Sequence, residues 1–257
     1  MSELQEAVRA HYAESALRMV KTKSGGCCDD GCCSTTNGSS CGDGYSAEEL
    51  ASVGLDATAS LGCGNPTMLA DLRPGERVLD LGSGAGIDVL LSAKRVSPGG
   101  HAYGVDMTEE MLAVARENQR ASGVANATFL KGTIESVPLD DAAVDVVISN
   151  CVINLAADKA AVLREAYRVL RPDGRFAVAD MVALEELAPE AKRRLDLWAG
   201  CIAGTISIDE YTRMLHDAGF SDVDVEVTRE VTLDGVEGRV ASAYVRARKP
   251  AVVTAAT

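Results

Sequence analysis

The chain has 257 residues, eight cysteines and a net charge of −13. This length suffices for one large α/β domain with a sizeable core. The negative charge argues against a general nucleic-acid binder, because phosphate backbones would repel it, and solubility or a salty cytoplasm explains it most simply. No apolar stretch approaches the ~20 residues of a membrane span, and the first residues do not resemble a secretory signal. We therefore expect a cytoplasmic protein that uses no membrane or nucleic-acid partner and keeps its thiols reduced.

The first 59 residues are expected to form a helix followed by a mobile, cysteine-rich segment. Helical spacing of apolar residues predicts an amphipathic helix from Ser2 to about Lys21. The stretch from Ser24 to Gly44 is rich in glycine and serine and carries an N-terminal cysteine cluster: Cys27, Cys28, Cys32, Cys33 and Cys41. In a reducing compartment, clustered cysteines more often bind metals or catalyse reactions than form a disulfide framework. Ser46 and Glu49 have the spacing of a capping box that opens a short helix.

From Arg77 onward, predicted strands and helices alternate, which is typical of a doubly wound, mostly parallel sheet. The predicted strands cover Arg77–Leu81, Ala102–Asp106, Ala127–Leu130, Val144–Ser149 and Arg175–Asp180. The predicted helices cover Ile87–Val96, Glu109–Ser122 and Lys159–Leu170. A turn at Pro172-Asp173-Gly174 is expected to lead from the third of these helices into the fifth strand.

The rest of the chain is predicted to add a helical insertion and two final strands. The insertion, about residues 183–218, contains predicted helices at Glu190–Cys201 and Ile208–Ala218. Alternating residues predict strands at Val223–Val227 and Ala241–Ala247, and Asp234-Gly235 between them favours an antiparallel edge pair. We expect residues 60–250 to form the main domain and residues 251–257 a frayed tail.

A glycine-rich loop follows the first predicted strand: Asp80-Leu81-Gly82-Ser83-Gly84-Ala85-Gly86. Its glycines would let a ligand approach the backbone closely. Asp106 ends the second strand, twenty residues after Gly86, where a carboxylate can accept hydrogen bonds from both ribose hydroxyls. Asp80 suits an ammonium group and would repel a pyrophosphate, although it could also be a simple helix-capping residue. A ligand with a ribose and a cation but no phosphates is indicated, and S-adenosylmethionine fits.

The segment Thr133-Ile134-Glu135 is expected to face the adenine ring, unless it is an ordinary loop with one buried isoleucine. From about Leu61 to Arg248 the chain resembles the class I S-adenosylmethionine-dependent methyltransferases. The resemblance rests on the glycine loop, the acidic strand end and the later segment Tyr167-Arg168-Val169-Leu170-Arg171-Pro172-Asp173-Gly174. It implies a Rossmann-like α/β fold with a seven-stranded, mostly parallel sheet whose last strand is antiparallel.

Three further cysteines, Cys63, Cys151 and Cys201, are expected at the edge of this cleft. Cys151 directly follows the fourth strand, at the sheet edge where such folds bind ligands. Buried cysteines are often inert small hydrophobes, so a structural role is one interpretation. Three thiolates would alternatively suit a soft trivalent centre, because zinc normally takes four ligands. Arsenic(III) bound by three sulfurs keeps a lone pair that can attack a sulfonium methyl without a general base.

The absence of an evident catalytic histidine agrees with this chemistry. The three histidines, His11, His101 and His216, fall at positions expected on helix or strand surfaces.

The chain also resembles the arsenite methyltransferases. The matching segments are Gly62-Cys63-Gly64, Asp80-Leu81-Gly82-Ser83-Gly84, Gly104-Val105-Asp106-Met107-Thr108, Ser149-Asn150-Cys151-Val152-Ile153-Asn154-Leu155 and Trp198-Ala199-Gly200-Cys201. This resemblance implies that Cys63, Cys151 and Cys201 bind arsenic(III). Together with the features of the glycine-rich loop, it predicts a cofactor site formed by Asp80, Gly82, Ser83, Gly84, Gly86, Asp106, Met107, Thr133, Ile134, Glu135 and Asn150.

The hypothesis is therefore S-adenosylmethionine-dependent methylation of arsenite or methylarsenite by a monomeric enzyme, as in arsenic detoxification. Thioredoxin or glutathione would restore the thiols, and the resemblance implies that an N-terminal cysteine takes part, without indicating which one. The chain is expected to lack the extra C-terminal domain of longer relatives, which leaves the number of methylations open. The alternatives are methylation of a small organic molecule with structural cysteines, and metalloid buffering without catalysis.

Overall fold

The structure, a computed structural model, describes residues 6, 9–16, 44–55, 62–194, 197–198, 201–231 and 238–252. Residue 6 is helical and residues 9–16 form helix α1, whereas the other residues of the predicted first helix and the N-terminal cysteine cluster lie outside the described residues. Among the helices described, none has both the length and the apolar character of a membrane span.

Two short helices, α2 (Ala47–Ser52) and α3 (Pro66–Leu69), precede the sheet. The predicted capping box of α2 is confirmed, since Ser46 and Glu49 exchange side-chain to backbone hydrogen bonds of 3.1 and 2.8 Å. The strands are β1 (Arg77–Leu81), β2 (His101–Asp106), β3 (Ala127–Lys131), β4 (Val144–Asn150), β5 (Leu170–Ala183), β6 (Ser221–Val231) and β7 (Val240–Arg248). The longer helices are α4 (Ile87–Arg95), α5 (Glu109–Ser122), α6 (Lys159–Val169) and α7 (Ile208–Asp217), and 3-10 turns occur at Ile153–Leu155 and Ala191–Arg193.

The seven strands form one sheet in the order β3-β2-β1-β4-β5-β7-β6. Strands β3, β2, β1, β4 and β5 are parallel, whereas β7 runs antiparallel between β5 and β6. The predicted α/β class, with an antiparallel last strand, is therefore confirmed. β1 and β4 are buried almost throughout, as expected for central parallel strands that are covered on both faces.

Two local predictions were wrong. Helix α6 ends at Val169, and Leu170 already pairs with Val144, so that the predicted turn at Pro172-Asp173-Gly174 is a bulge inside β5. Asp173, with φ of 65°, adopts the left-handed conformation that this bulge needs. The predicted helix at Glu190–Cys201 is interrupted, because Arg194 has extended backbone angles after the 3-10 turn.

The two final strands are longer than predicted, because their alternating residues continue to pair beyond the apolar positions. The turn predicted at Asp234-Gly235 lies outside the described residues.

Candidate active site

A cleft opens at the carboxyl ends of β1, β2 and β4, where the sheet order reverses direction around β1. Ten of the eleven residues predicted for the cofactor site line it, namely Asp80, Gly82, Ser83, Gly84, Asp106, Met107, Thr133, Ile134, Glu135 and Asn150. Gly86 is the exception, since it is the N-cap of α4 with φ of 87°. Tyr12 of α1 also contributes to the wall, although no motif in the sequence pointed to it. None of the three histidines is among the described lining residues.

The cleft is strongly acidic. Asp80, Asp88, Asp106 and Glu135 line it, and no lysine or arginine stands among the lining residues that the structure describes. Burial, and then the charges of Asp88 and Asp106, raise the pKa of Asp80 well above its ordinary value. Burial raises the pKa of Asp88 to about 6, although hydrogen bonds from Tyr45 and Asn150 act in the opposite direction. Such a cleft favours a cationic ligand, whose charge would relieve the repulsion between the carboxylates.

Asp106 is held by the glycine loop and by the start of α5. Its Oδ2 accepts a hydrogen bond from the Gly84 backbone N–H at 2.9 Å, and its Oδ1 accepts one from the Thr108 N–H at 2.8 Å. Burial raises the pKa of Asp106, and these backbone hydrogen bonds partly counteract the rise. Because a carboxylate offers about four lone-pair sites, each oxygen can still accept a ligand hydroxyl.

The glycine loop leaves space and one unused polar group for a ligand. A Cβ built on Gly84 would meet nothing within 4 Å, and its φ of 49° is a conformation that favours glycine. The Ser83 hydroxyl is buried and has no hydrogen-bond partner in the part of the chain that the structure describes. A buried, unpaired hydroxyl is costly unless a ligand satisfies it. The residues present therefore fit a polar, cationic ligand such as S-adenosylmethionine.

The predicted thiols are close together at the cleft edge. Cys63 and Cys151 form a disulfide with their Cα atoms 6.0 Å apart, so the structure shows them oxidised rather than as the free thiols expected in a reducing compartment. Cys151 lines the cleft directly, immediately after β4. Its backbone N–H donates to the Ala179 carbonyl of β5 at 2.8 Å, which fixes the start of this turn to the sheet.

Cys201 is buried in the same apolar cluster as the two disulfide cysteines. Its Sγ donates to the backbone carbonyl of Cys151, which brings the third sulfur to the same place. Both Cys151 and Cys201 have positive φ, at 59° and 61°, a left-handed backbone conformation that residues other than glycine rarely adopt. They belong to an apolar cluster that also contains Leu155 and Met181. The structure thus brings together three sulfurs from segments that are far apart in the sequence.

Asn150, at the end of β4, connects the cleft to the Cys63 segment. Its Oδ1 accepts hydrogen bonds from the backbone N–H groups of Cys63 and Gly64, at 2.9 and 3.3 Å. Its Nδ2 donates to the Gly64 carbonyl and to Tyr45 Oη, at 2.8 and 2.9 Å, and approaches Asp88 Oδ2 at 3.3 Å. Tyr45 Oη in turn donates to Asp88 Oδ1 at 2.7 Å. The Asn150 amide is thus fully engaged within the chain rather than directed at a ligand.

Sequence reasoning missed Tyr45 and Asp88. Asp88 follows Gly86, the last glycine of the loop, by two residues. An acidic residue at the otherwise apolar start of α4 could have identified it as a candidate site residue. Tyr45 had no comparable signal, because it lies at the end of the glycine-rich stretch and reaches the site only through the tertiary fold.

Asp180 is a further buried polar group near the thiols. Asp180 is fully buried in β5, where its Oδ1 accepts hydrogen bonds from Asn154 Nδ2 and the Met181 N–H. Burial raises the pKa of Asp180 to about 7, and the positive charge of Lys159 counteracts part of this rise. Lys159 lies 5.5 Å from the centre of the Trp198 ring, and burial lowers its pKa. No motif in the sequence singled out Asp180 or Lys159.

Comparison with known proteins supports a specific family. A methyltransferase-domain family matches residues 72–219, which is more than half of the chain. The arsenite methyltransferase of Halobacterium salinarum is 42% identical, over 97% of this chain and 67% of its own length. That of Aquipseudomonas alcaligenes is 35% identical, over 85% of this chain and 62% of its own length. The crystal structure of an arsenic(III) S-adenosylmethionine methyltransferase from Chlamydomonas reinhardtii gives a TM-score of 0.67 at 37% identity, over 74% of this chain and 68% of that one.

This chain therefore spans about two thirds of the length of these relatives. The sheet order, the acidic cleft beside a glycine loop and the sequence identity agree with one another. The chain belongs to the arsenite methyltransferase family, within the S-adenosylmethionine-dependent methyltransferases.

Proposed function

We propose that this protein methylates arsenic(III) held by the thiolates of Cys63, Cys151 and Cys201, with S-adenosylmethionine as the methyl donor. The observation that carries the proposal is the meeting of these three sulfurs beside an acidic cleft. Thiolates are preferred ligands of soft centres. Named arsenite methyltransferases among the relatives support the same substrate.

The cleft residues would hold the methyl donor through charge and hydrogen bonding. Asp80 would pair with the ammonium group, Asp106 would accept hydrogen bonds from the ribose hydroxyls, and Thr133, Ile134 and Glu135 would face the adenine. The bound donor supplies an electrophilic sulfonium methyl. Catalysis would rest on positioning and on exclusion of water, because an arsenic lone pair carries no proton that a base must remove.

The disulfide defines the state from which the cycle would start. Two reductant thiols, from thioredoxin or glutathione, would reduce the Cys63–Cys151 bond and leave as a disulfide of their own. Three protein thiols would then replace the three hydroxyls of arsenite, releasing three waters. Methyl transfer oxidises arsenic(III) to arsenic(V), so two further reductant electrons are needed before another round. We place the enzyme in the cytoplasm for this reason, since glutathione and thioredoxin keep that compartment reducing.

The decisive experiment is incubation of the purified protein with arsenite, S-adenosylmethionine and glutathione or thioredoxin, followed by arsenic speciation. We expect methylated arsenicals from the wild type and none from Cys151→Ser or Cys201→Ser. Calorimetry with S-adenosylmethionine checks that these variants still bind the donor. If the wild type binds the donor but methylates no arsenical with either reductant, the proposal is wrong.

One observation favours a second candidate, methylation of a small organic molecule. The Cys63–Cys151 disulfide is what purely structural cysteines would form. Under this alternative, Cys151→Ser would lower thermal stability but would leave donor binding and turnover of the organic acceptor intact. Metalloid buffering without catalysis would instead require that the protein bind arsenite but not S-adenosylmethionine, which the acidic cleft disfavours.

A further inference from the structure

The Cys63 segment packs directly onto the Asn150 side chain. A Cβ built on Gly62 would lie only 2.0–2.2 Å from the Asn150 amide atoms, so that only glycine allows this approach. Gly64 is also closely packed against two other segments. A Cβ built on Gly64 would meet Ala179 of β5 at 2.8 Å, and a Cβ built on Gly44 would meet the Gly64 backbone at 2.7 Å. The backbone around Cys63 therefore rests on the end of the sheet through close contacts.

Hydrogen bonds at Asn150 determine where along that surface the segment lies. A primary amide has two donor hydrogens and two acceptor lone pairs. Asn150 directs both acceptor sites to consecutive backbone N–H groups, those of Cys63 and Gly64, and one donor to the Gly64 carbonyl. Asn150 therefore binds the peptide groups before and after Cys63. The Cys63 side chain is left to bond with Cys151.

The partners of Asn150 fix the orientation of its amide. Tyr45 Oη accepts a hydrogen bond from Asn150 Nδ2 at 2.9 Å and itself donates one to Asp88 at 2.7 Å. The phenol and the carboxylate thus both favour the orientation in which the NH₂ group of Asn150 faces them. If the amide were flipped, its NH₂ group would face two backbone N–H donors, which is unfavourable. Tyr45 and Asp88 thus support Asn150, and Asn150 supports Cys63.

We propose that Asn150, oriented by Tyr45 and Asp88, is a positioning residue that holds Cys63 against Cys151. The inference rests on the proposed function, because this contact sets how readily Cys63 reaches the arsenic and closes the disulfide with Cys151. It assigns Asn150 to the thiol site, in addition to its place in the cofactor cleft.

The test measures how readily Cys63 and Cys151 pair, independently of arsenic. In glutathione buffers the two thiols and oxidised glutathione exchange to the protein disulfide and two reduced glutathiones. Peptide mapping after acid quenching and alkylation gives the equilibrium constant for this one pair. Asn150→Ala should lower that constant by about ten- to hundredfold, the loss expected when several net hydrogen bonds disappear. Tyr45→Phe keeps the ring and should produce a smaller decrease, of about threefold or more.

Asn126→Ala is the matched control. The Asn126 amide likewise ties backbone segments together, since its Nδ2 donates to the carbonyls of Ala93 and Gly100, but it does so on elements that carry none of the three cysteines. It should leave the constant within about twofold of wild type, even where it lowers the melting temperature as much as Asn150→Ala. A second readout is the ratio of turnover on arsenite to turnover on methylarsenite, which should fall in Asn150→Ala.

Two outcomes overturn the inference. One is a constant for Asn150→Ala and Tyr45→Phe that matches wild type, and the other is an equal decrease in the Asn126→Ala control. Failure of the proposed function gives a different result, because the wild type would then produce no methylated arsenical. The equilibrium constants of the Cys63–Cys151 pair would still decide the role of Asn150 in that case. If Asn150→Ala does not fold, Tyr45→Phe alone decides between these outcomes.

Discussion

Replacement of Asp180 by asparagine is predicted to remove a large pH dependence of stability. Burial raises the pKa of Asp180 to about 7 from an ordinary value of 3.8. Because the folded protein holds this proton more tightly than the unfolded chain, the contribution to stability is fully present below pH 3.8 and is lost as pH rises through about 7. The two pKa values of Asp180 differ by about three units, and each unit is worth about 1.4 kcal/mol. The folded state should therefore be about 4 kcal/mol less stable at pH 8 than at pH 3 on account of this group.

The local structure should accept the amide. Asparagine keeps the oxygen that receives the hydrogen bonds of Asn154 and Met181. The other carboxylate oxygen faces the buried Tyr211 hydroxyl, and the interaction of these two groups counteracts part of the rise that burial causes in the pKa of Asp180. An NH₂ group at that position could use Tyr211 Oη as an acceptor. The variant should therefore be more stable than wild type near pH 8, and the advantage should shrink steadily toward pH 5.

The assay is urea unfolding of wild type and Asp180→Asn at intervals from about pH 5 to about pH 8.5, followed by circular dichroism. Between about pH 5 and pH 8 the stability difference should change by about 2–3 kcal/mol, with similar urea slopes in both proteins. Val178→Ala is the control, since it removes apolar volume from the same buried strand and its cost should not depend on pH. A difference between wild type and Asp180→Asn that stays constant over this range would refute the reasoning.

Four further predictions concern the cleft and the thiols. Asp106→Ala should weaken S-adenosylmethionine binding by ~1–3 kcal/mol, and unchanged affinity by calorimetry would remove Asp106 from the ribose site. Because a bound cation should lower the raised pKa values of Asp80 and Asp88, donor binding should release protons and tighten from about pH 5 to about pH 8, as calorimetry in two buffers can measure. Cys63→Ser should impair turnover of arsenite more than that of methylarsenite, which needs one protein sulfur fewer, and arsenic speciation would expose equal losses. Deleting the N-terminal cysteine cluster should leave the melting temperature nearly unchanged but slow turnover with weak reductants; normal turnover with every reductant would exclude the cluster from the cycle.

Local patterns in the sequence determined the architecture of this protein and the position of its acidic cleft. Apolar runs of strand length, separated by helical patterns, specify a parallel sheet, because each strand must be buried on both faces. The glycine loop after Asp80 and the carboxylate of Asp106 at the next strand end identify the cleft, since both follow the geometry of a single strand–loop–helix–strand unit. These signals lie within about thirty residues of one another, the length over which chain geometry alone fixes positions.

Only the tertiary structure decided the arrangement around the thiols. Asn150 and Cys63 are 87 residues apart, and Asn150 and Tyr45 are 105 apart, so their hydrogen bonds exist only because the segments dock at the end of β4. The bulge at Pro172-Asp173-Gly174 likewise depends on the register between β4 and β5. The residue types at the turn do not determine this register. The raised pKa of Asp180 arises from burial by residues on other elements. Docking and burial are properties of the packed molecule, because each depends on the summed contacts of segments that are distant in the chain.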